Sequence, residues 1–136
     1  MIKILLVEDS TFLRIATERV LMRAKYEVCS AADGEEGLRL AFEQKPDLIL
    51  LDLLLPKLSG PDVLKALKND PATAAIPVVV LSGLSQKNAE RLEKDGAMTY
   101  LEKSTLDLDR GAAPLLTALE GIVEKICTIR AMRADS

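Results

Sequence analysis

Short apolar runs alternate with longer amphipathic stretches along the chain. Ile2–Val7 is apolar at nearly every position, as in a strand, and Ser10–Arg23 follows with Leu13, Ala16, Val20 and Leu21 at helical spacing. Tyr26–Ala31 is a second strand-like run. Asp33, ahead of Gly34-Glu35-Glu36, reads as a helix N-cap, with the second helix over Gly37–Glu43. Asp47–Leu51 is apolar on successive residues after its first, the pattern of a strand buried on both faces of a parallel sheet. Pro56, Gly60 and Pro61 mark a loop before a third helix through Val63, Leu64 and Leu67, which Asn69-Asp70-Pro71 ends. Ile76–Leu81 predicts a fourth strand, Ser85–Asp95 a fourth helix and Met98–Leu101 a fifth strand. The last helix is expected from about Ala113 to Ile129, with Leu115, Leu116, Leu119, Ile122, Val123 and Ile126 on one face.

Five strand–helix units in a row predict an α/β fold, a five-stranded parallel doubly wound sheet with helices on both faces. The domain is expected over 1–130, with 131–136 as a polar C-terminal tail. A chain of 136 residues has room for one such unit. Aromatic residues make up 3% of it and Trp is absent, so the core must be aliphatic. Cys29 and Cys127 lack metal-ligand spacing and are expected to be reduced packing residues.

A net charge of −3 argues against direct nucleic-acid binding, which needs clustered Lys and Arg. No apolar run approaches the ~20 residues of a membrane span. The N-terminus passes from Lys3 into the first strand without the regions of a signal peptide. A cytoplasmic protein with no membrane contact is expected. No DNA-binding or enzymatic output segment is expected after the last helix.

In an open parallel sheet, ligands bind beyond the carboxyl ends of the strands. At those ends stand Glu8 and Asp9, then Asp52, Ser82 and Lys103. Three carboxylates placed together repel one another and call for a cation. An oxygen-only donor set without His or Cys suits a hard ion such as Mg2+. A cation and an ammonium around a carboxylate is an arrangement that stabilises charge on a transferring phosphoryl group, and carboxylates are nucleophiles in aspartyl-phosphate formation. The chain has no His, so no phosphohistidine can form on it. The chemistry implied is phosphoryl transfer to an aspartate.

These residues resemble the receiver domain of bacterial two-component response regulators, including the single-domain chemotaxis type. The resemblance covers about residues 2 to 128. It rests on Glu8-Asp9, on Asp52-Leu-Leu-Leu-Pro56-Lys-Leu-Ser-Gly60, on Ser82-Gly83 and on Tyr100-Leu-Glu-Lys103. It implies a flavodoxin-like (βα)5 sheet of strand order 2-1-3-4-5, with Asp52 as phosphoacceptor. Asp9, Asp52 and the backbone carbonyl of Leu54 are implied as direct Mg2+ ligands, and Glu8 as a ligand through water. Lys103 is implied to pair with the acceptor or its phosphate, Ser82 to be the switch hydroxyl, Gly83 to leave room beside the acceptor, and Tyr100 to be the aromatic partner of the switch. A histidine kinase or phosphotransfer protein is the implied donor. The implied output is a downstream protein, or a second copy of the chain in a homodimer, bound by the face of the fourth helix, fifth strand and fifth helix.

Two features depart from the family. Ser104 stands where proline usually follows the lysine, and Leu54 and Leu84 stand where polar residues often influence hydrolysis. The leucines imply slow loss of phosphate. A haloacid dehalogenase-type hydrolase would want its nucleophile on the first strand and a second Asp two residues later. A nucleotide- or flavin-binding module would want a phosphate loop where Glu8-Asp9-Ser10-Thr11 stands. A phosphorylation-independent docking module on the same fold is the remaining alternative, and the complete acidic set counts against it.

Overall fold

The structure is a computed structural model and describes residues 2–52, 60–82, 99–102 and 113–134. Its order is β1 (Lys3–Val7), α1 (Thr11–Arg23), β2 (Glu27–Ala31), α2 (Gly34–Gln44), β3 (Leu48–Asp52), α3 (Gly60–Asn69), β4 (Val78–Ser82), β5 (Thr99–Glu102) and a C-terminal helix (Ala113–Ala134). The strands pair in parallel in the order β2-β1-β3-β4-β5, as the resemblance implied. The fourth helix expected over Ser85–Asp95 lies outside the described residues.

Period-two alternation along fully apolar strands divides the core into two layers. Leu5, Val7, Ile49, Leu51, Val78 and Val80 face α2 and α3, burying Ala41, Val63, Leu64 and Leu67 with them. Ile4, Leu6, Leu48, Leu50, Val79 and Leu81 face the other way, onto Leu21 of α1 and Leu119, Ile122 and Ile126 of the C-terminal helix. The strands β1 and β3 are thereby covered on both sides, and acids stand where they end.

Local chemistry sets the helix ends. The Ser10 hydroxyl accepts the Leu13 N–H at 3.3 Å and caps α1. The Asp33 carboxylate accepts the Glu36 N–H at 2.9 Å, while the Glu36 carboxylate accepts the Ala32 N–H at 3.3 Å. That reciprocal arrangement carries α2 back to Gly34, ahead of the expected Gly37. After α3, the Lys68 ammonium donates to the carbonyls of Ala74 at 3.0 Å and Ile76 at 2.8 Å. Partial burial lowers the Lys68 pKa from its ordinary value.

Three expectations are corrected. β4 starts at Val78 rather than Ile76, because the Ile76 N–H turns back to the Thr73 carbonyl at 3.0 Å and Pro77 has no N–H to give. The C-terminal helix passes Ile129 and runs to Ala134, so most of the segment expected as a tail is helical. Cys29 is half-buried, and burial pushes its thiol pKa up, but Cys127 is exposed and is no packing residue. Among the described residues no helix is long and apolar enough to cross a membrane.

One glycine marks how closely α2 lies on β1. A Cβ at Gly37 would stand 3.0 Å and 3.1 Å from the two methyls of Val7, which is buried in the core with no room to withdraw. A Cβ at Gly121, in the C-terminal helix, would meet nothing within 4 Å. Replacing a helical glycine by alanine gains up to ~1 kcal/mol of propensity, whereas overpacking costs about 1–3 kcal/mol. Urea denaturation should therefore show Gly121→Ala stabilised and Gly37→Ala destabilised by about 1 kcal/mol. Equal gains at both sites would mean that Val7 does not limit the approach.

Candidate functional site

The strand order places a crevice between β1 and β3. From β1 the chain crosses outward to β2, and it then returns to the other side of β1 to form β3. Strand order reverses there, and the helices that follow β1 and β3 leave on opposite faces of the sheet. Such a switch point is where open α/β sheets hold their ligands.

The register fills this crevice with acids. Val7 lies opposite Leu51, so the next residues on the two strands are Glu8 and Asp52. Asp9 follows as the chain bends into α1. One oxygen of each carboxylate can be chosen so that all three lie within 4.8 Å of one another. Glu8 is 3% exposed and Asp52 1%, whereas Asp9 is exposed. The site is therefore a well, with two carboxylates in its wall and the third at its mouth.

Like charges this close repel one another and favour a cation among them. The donor set is oxygen-only and open on one side through Asp9. That combination fits a small hard cation that keeps some of its waters, and Mg2+ meets the description.

The turn that carries Glu8 and Asp9 is tied at both ends. The Glu8 N–H donates to the Ala31 carbonyl at 3.0 Å. The Glu8 carbonyl accepts from the Arg14 guanidinium at 3.1 Å, and the Arg14 N–H donates to the Ser10 carbonyl at 2.8 Å. Arg14 belongs to this turn although the sequence shows only a basic residue five positions after Asp9, which says nothing until the turn is seen to close on itself.

Of the residues expected at the site, the structure brings Glu8, Asp9 and Asp52 together. Ser82 ends β4, one step beyond Leu81, the register partner of Asp52. Tyr100 lies in β5 opposite Val80, on the strand next to Ser82. The side chains of Ser82 and Tyr100, and all of Leu54, Gly83, Leu84, Lys103 and Ser104, lie outside the described residues.

The chain is similar to known proteins in sequence and in fold. The model of the response regulator receiver domain matches residues 4–111. The chain is 33% identical over 130 residues to the DNA-binding dual master transcriptional regulator RpaA of Synechocystis, covering 96% of this chain and 48% of that protein. The chain thus spans about half the length of that relative. It is 38% identical over 102 residues to the polar-differentiation response regulator DivK of Brucella anthropi, covering 74% of this chain and 82% of DivK. The structure of the chemotaxis response regulator CheY4 of Vibrio cholerae superposes with a TM-score of 0.80 at 29% identity, covering 90% of this chain and 98% of that one. Receiver domains of this kind interact with histidine kinases and with downstream targets. By its family match, its sheet order and the acids gathered at the switch point, the chain belongs to the response regulator receiver domain family, whose members are phosphorylation-dependent signalling switches.

Proposed function

We propose that Asp52 accepts a phosphoryl group from the phosphohistidine of a partner histidine kinase or phosphotransfer protein. The observation that carries this reading is the burial of Asp52 beside Glu8 and Asp9 at the switch point of the sheet. An Asp52 carboxylate oxygen attacks phosphorus, the bond from phosphorus to the donor imidazole breaks, and the imidazole leaves. The same oxygen chemistry allows a small acyl phosphate to act as donor. The chain catalyses its own modification and slow dephosphorylation, and is not a turnover enzyme.

Asp9 and Asp52 would hold Mg2+ directly with the Leu54 carbonyl, and Glu8 would reach it through water. The ion, when bound, supplies positive charge against the three carboxylates and the incoming phosphoryl oxygens. Lys103 is assigned to the acceptor or its phosphate, and Ser82 to a phosphoryl oxygen. The reading places the protein in the cytoplasm, where phosphohistidine donors arise.

Signalling follows if phosphate interacts differently with two arrangements of the region after β4. Ser82 and Lys103 would move toward the phosphate and Tyr100 toward the space Ser82 leaves. The face of the fourth helix, β5 and the C-terminal helix would then bind a downstream protein or a second copy of the chain.

Incubation with acetyl phosphate and Mg2+ should add one phosphoryl group to the native protein by intact-mass measurement, and Asp52→Asn should add none. An amide is neither a competent nucleophile here nor an anionic metal ligand. Undiminished labelling of the variant would move the acceptor elsewhere.

Amide exchange with and without beryllofluoride and Mg2+ tests the switch. Protection should change in β5 and the C-terminal helix as well as beside Asp52. Changes confined to the neighbourhood of Asp52 would leave the acceptor in place and remove the switch.

A further inference from the structure

The turn between β1 and α1 must hold Glu8 and Asp9 close to Asp52 against their mutual repulsion. Glu8 is the first residue past β1, and its N–H adds one rung to the β1–β2 pairing through the Ala31 carbonyl. β2 ends at Ala31, and the chain then turns into the Asp33 cap of α2. Where the ladder gives out, the Arg14 guanidinium reaches back six residues and donates to the Glu8 carbonyl at 3.1 Å. The other side of the turn is closed by the Ser10 cap and by the Arg14 N–H on the Ser10 carbonyl. Asp9 is therefore bracketed, with a fixed peptide before it and a fixed residue after it.

We infer that Arg14 is a positioning residue for the acidic site. Its guanidinium fixes the direction in which the Glu8 and Asp9 carboxylates leave the strand, and it sets a permanent positive charge against the backbone of the acidic pair. Arginine suits this post. Its planar fork makes directed hydrogen bonds and keeps its charge at any pH at which the protein folds. Arg14 is half-buried on the first turn of α1, so its reach to Glu8 is along packed protein rather than through open solvent. The role is exerted through Glu8 and Asp9 and needs no contact with the phosphoryl group. Partners that hydrogen-bond a metal's ligand groups directly are worth about 10–100-fold in affinity, and Arg14, one step further out on the Glu8 carbonyl, is expected at the lower end of that range.

The inference rests on the cation-site reading above, and calorimetric titration of Mg2+ into the metal-free protein separates the two. Wild type, Arg14→Met and Arg14→Lys are compared well below their melting temperatures. Methionine keeps the apolar stem and loses every donor, whereas lysine keeps one charged donor without the fork. Arg14→Met is expected to bind Mg2+ about tenfold more weakly, with Arg14→Lys between it and wild type. Wild-type affinity in Arg14→Met overturns the inference, even if the variant melts lower, because the contact would then be only a tie between strand and helix. If Arg14→Met does not fold, Arg14→Lys decides: affinity several-fold below wild type supports the inference and unchanged affinity overturns it. A wild-type protein that binds no Mg2+ overturns the cation site itself, and the inference with it.

Discussion

The repulsion among Glu8, Asp9 and Asp52 is the constraint on which the rest of the site depends. Two of these carboxylates are almost wholly buried, where β1 and β3 end between two apolar layers. Nothing in the hydrophobic layers rewards their being there. They stay because β1 and β3 are adjacent, because Val7 and Leu51 are in register, and because the residues next in line are acids. Folding thus gathers negative charge at this point, and the proposed Mg2+ would offset it. A stable scaffold with one unfavourable cluster is also what a switch requires, since the state of the cluster can then bias its surroundings.

The scaffold shows how that charge is held in place. Close packing of α2 on β1 through Gly37 and Val7 holds the strand that delivers Glu8. The caps at Ser10 and Asp33 start the helices on either side of β2. Lys68 performs the matching task on the approach to β4, fastening the carbonyls of Ala74 and Ile76 before the strand that ends in Ser82. The end of β1 is therefore fixed by contacts within its own turn, and the entry of β4 by Lys68.

Much of this was legible in the sequence, for physical reasons. Strands buried on both faces must be apolar throughout, so a run that ends in Glu8-Asp9 or Asp52 announces where the apolar layers stop and chemistry starts. Asp33 was legible as a cap because its side chain acts over three residues, whereas Ser10, expected as the first residue of a helix, is the cap of α1. The start of β4 was less legible, since Ile76 and Val78 look alike as residues and only the turn through Thr73 and the missing N–H of Pro77 separate them. The extension of the last helix to Ala134 adds exposed residues such as Met132, which leave little hydrophobic pattern to read. Arg14 was invisible for another reason. Its partner is a backbone carbonyl, which every residue carries, so its contact with Glu8 leaves no mark in the sequence.

The proposal that the buried carboxylate at the end of β3 becomes an acyl phosphate has a direct chemical test. Borohydride reduces an aspartyl phosphate to homoserine and leaves an ordinary carboxylate untouched, so reduction after phosphorylation, followed by peptide mass mapping, locates the modified residue. The account predicts homoserine at position 52, dependent on Mg2+. Homoserine arising from Asp9, or no reducible product in a protein that has taken up phosphate, would contradict it.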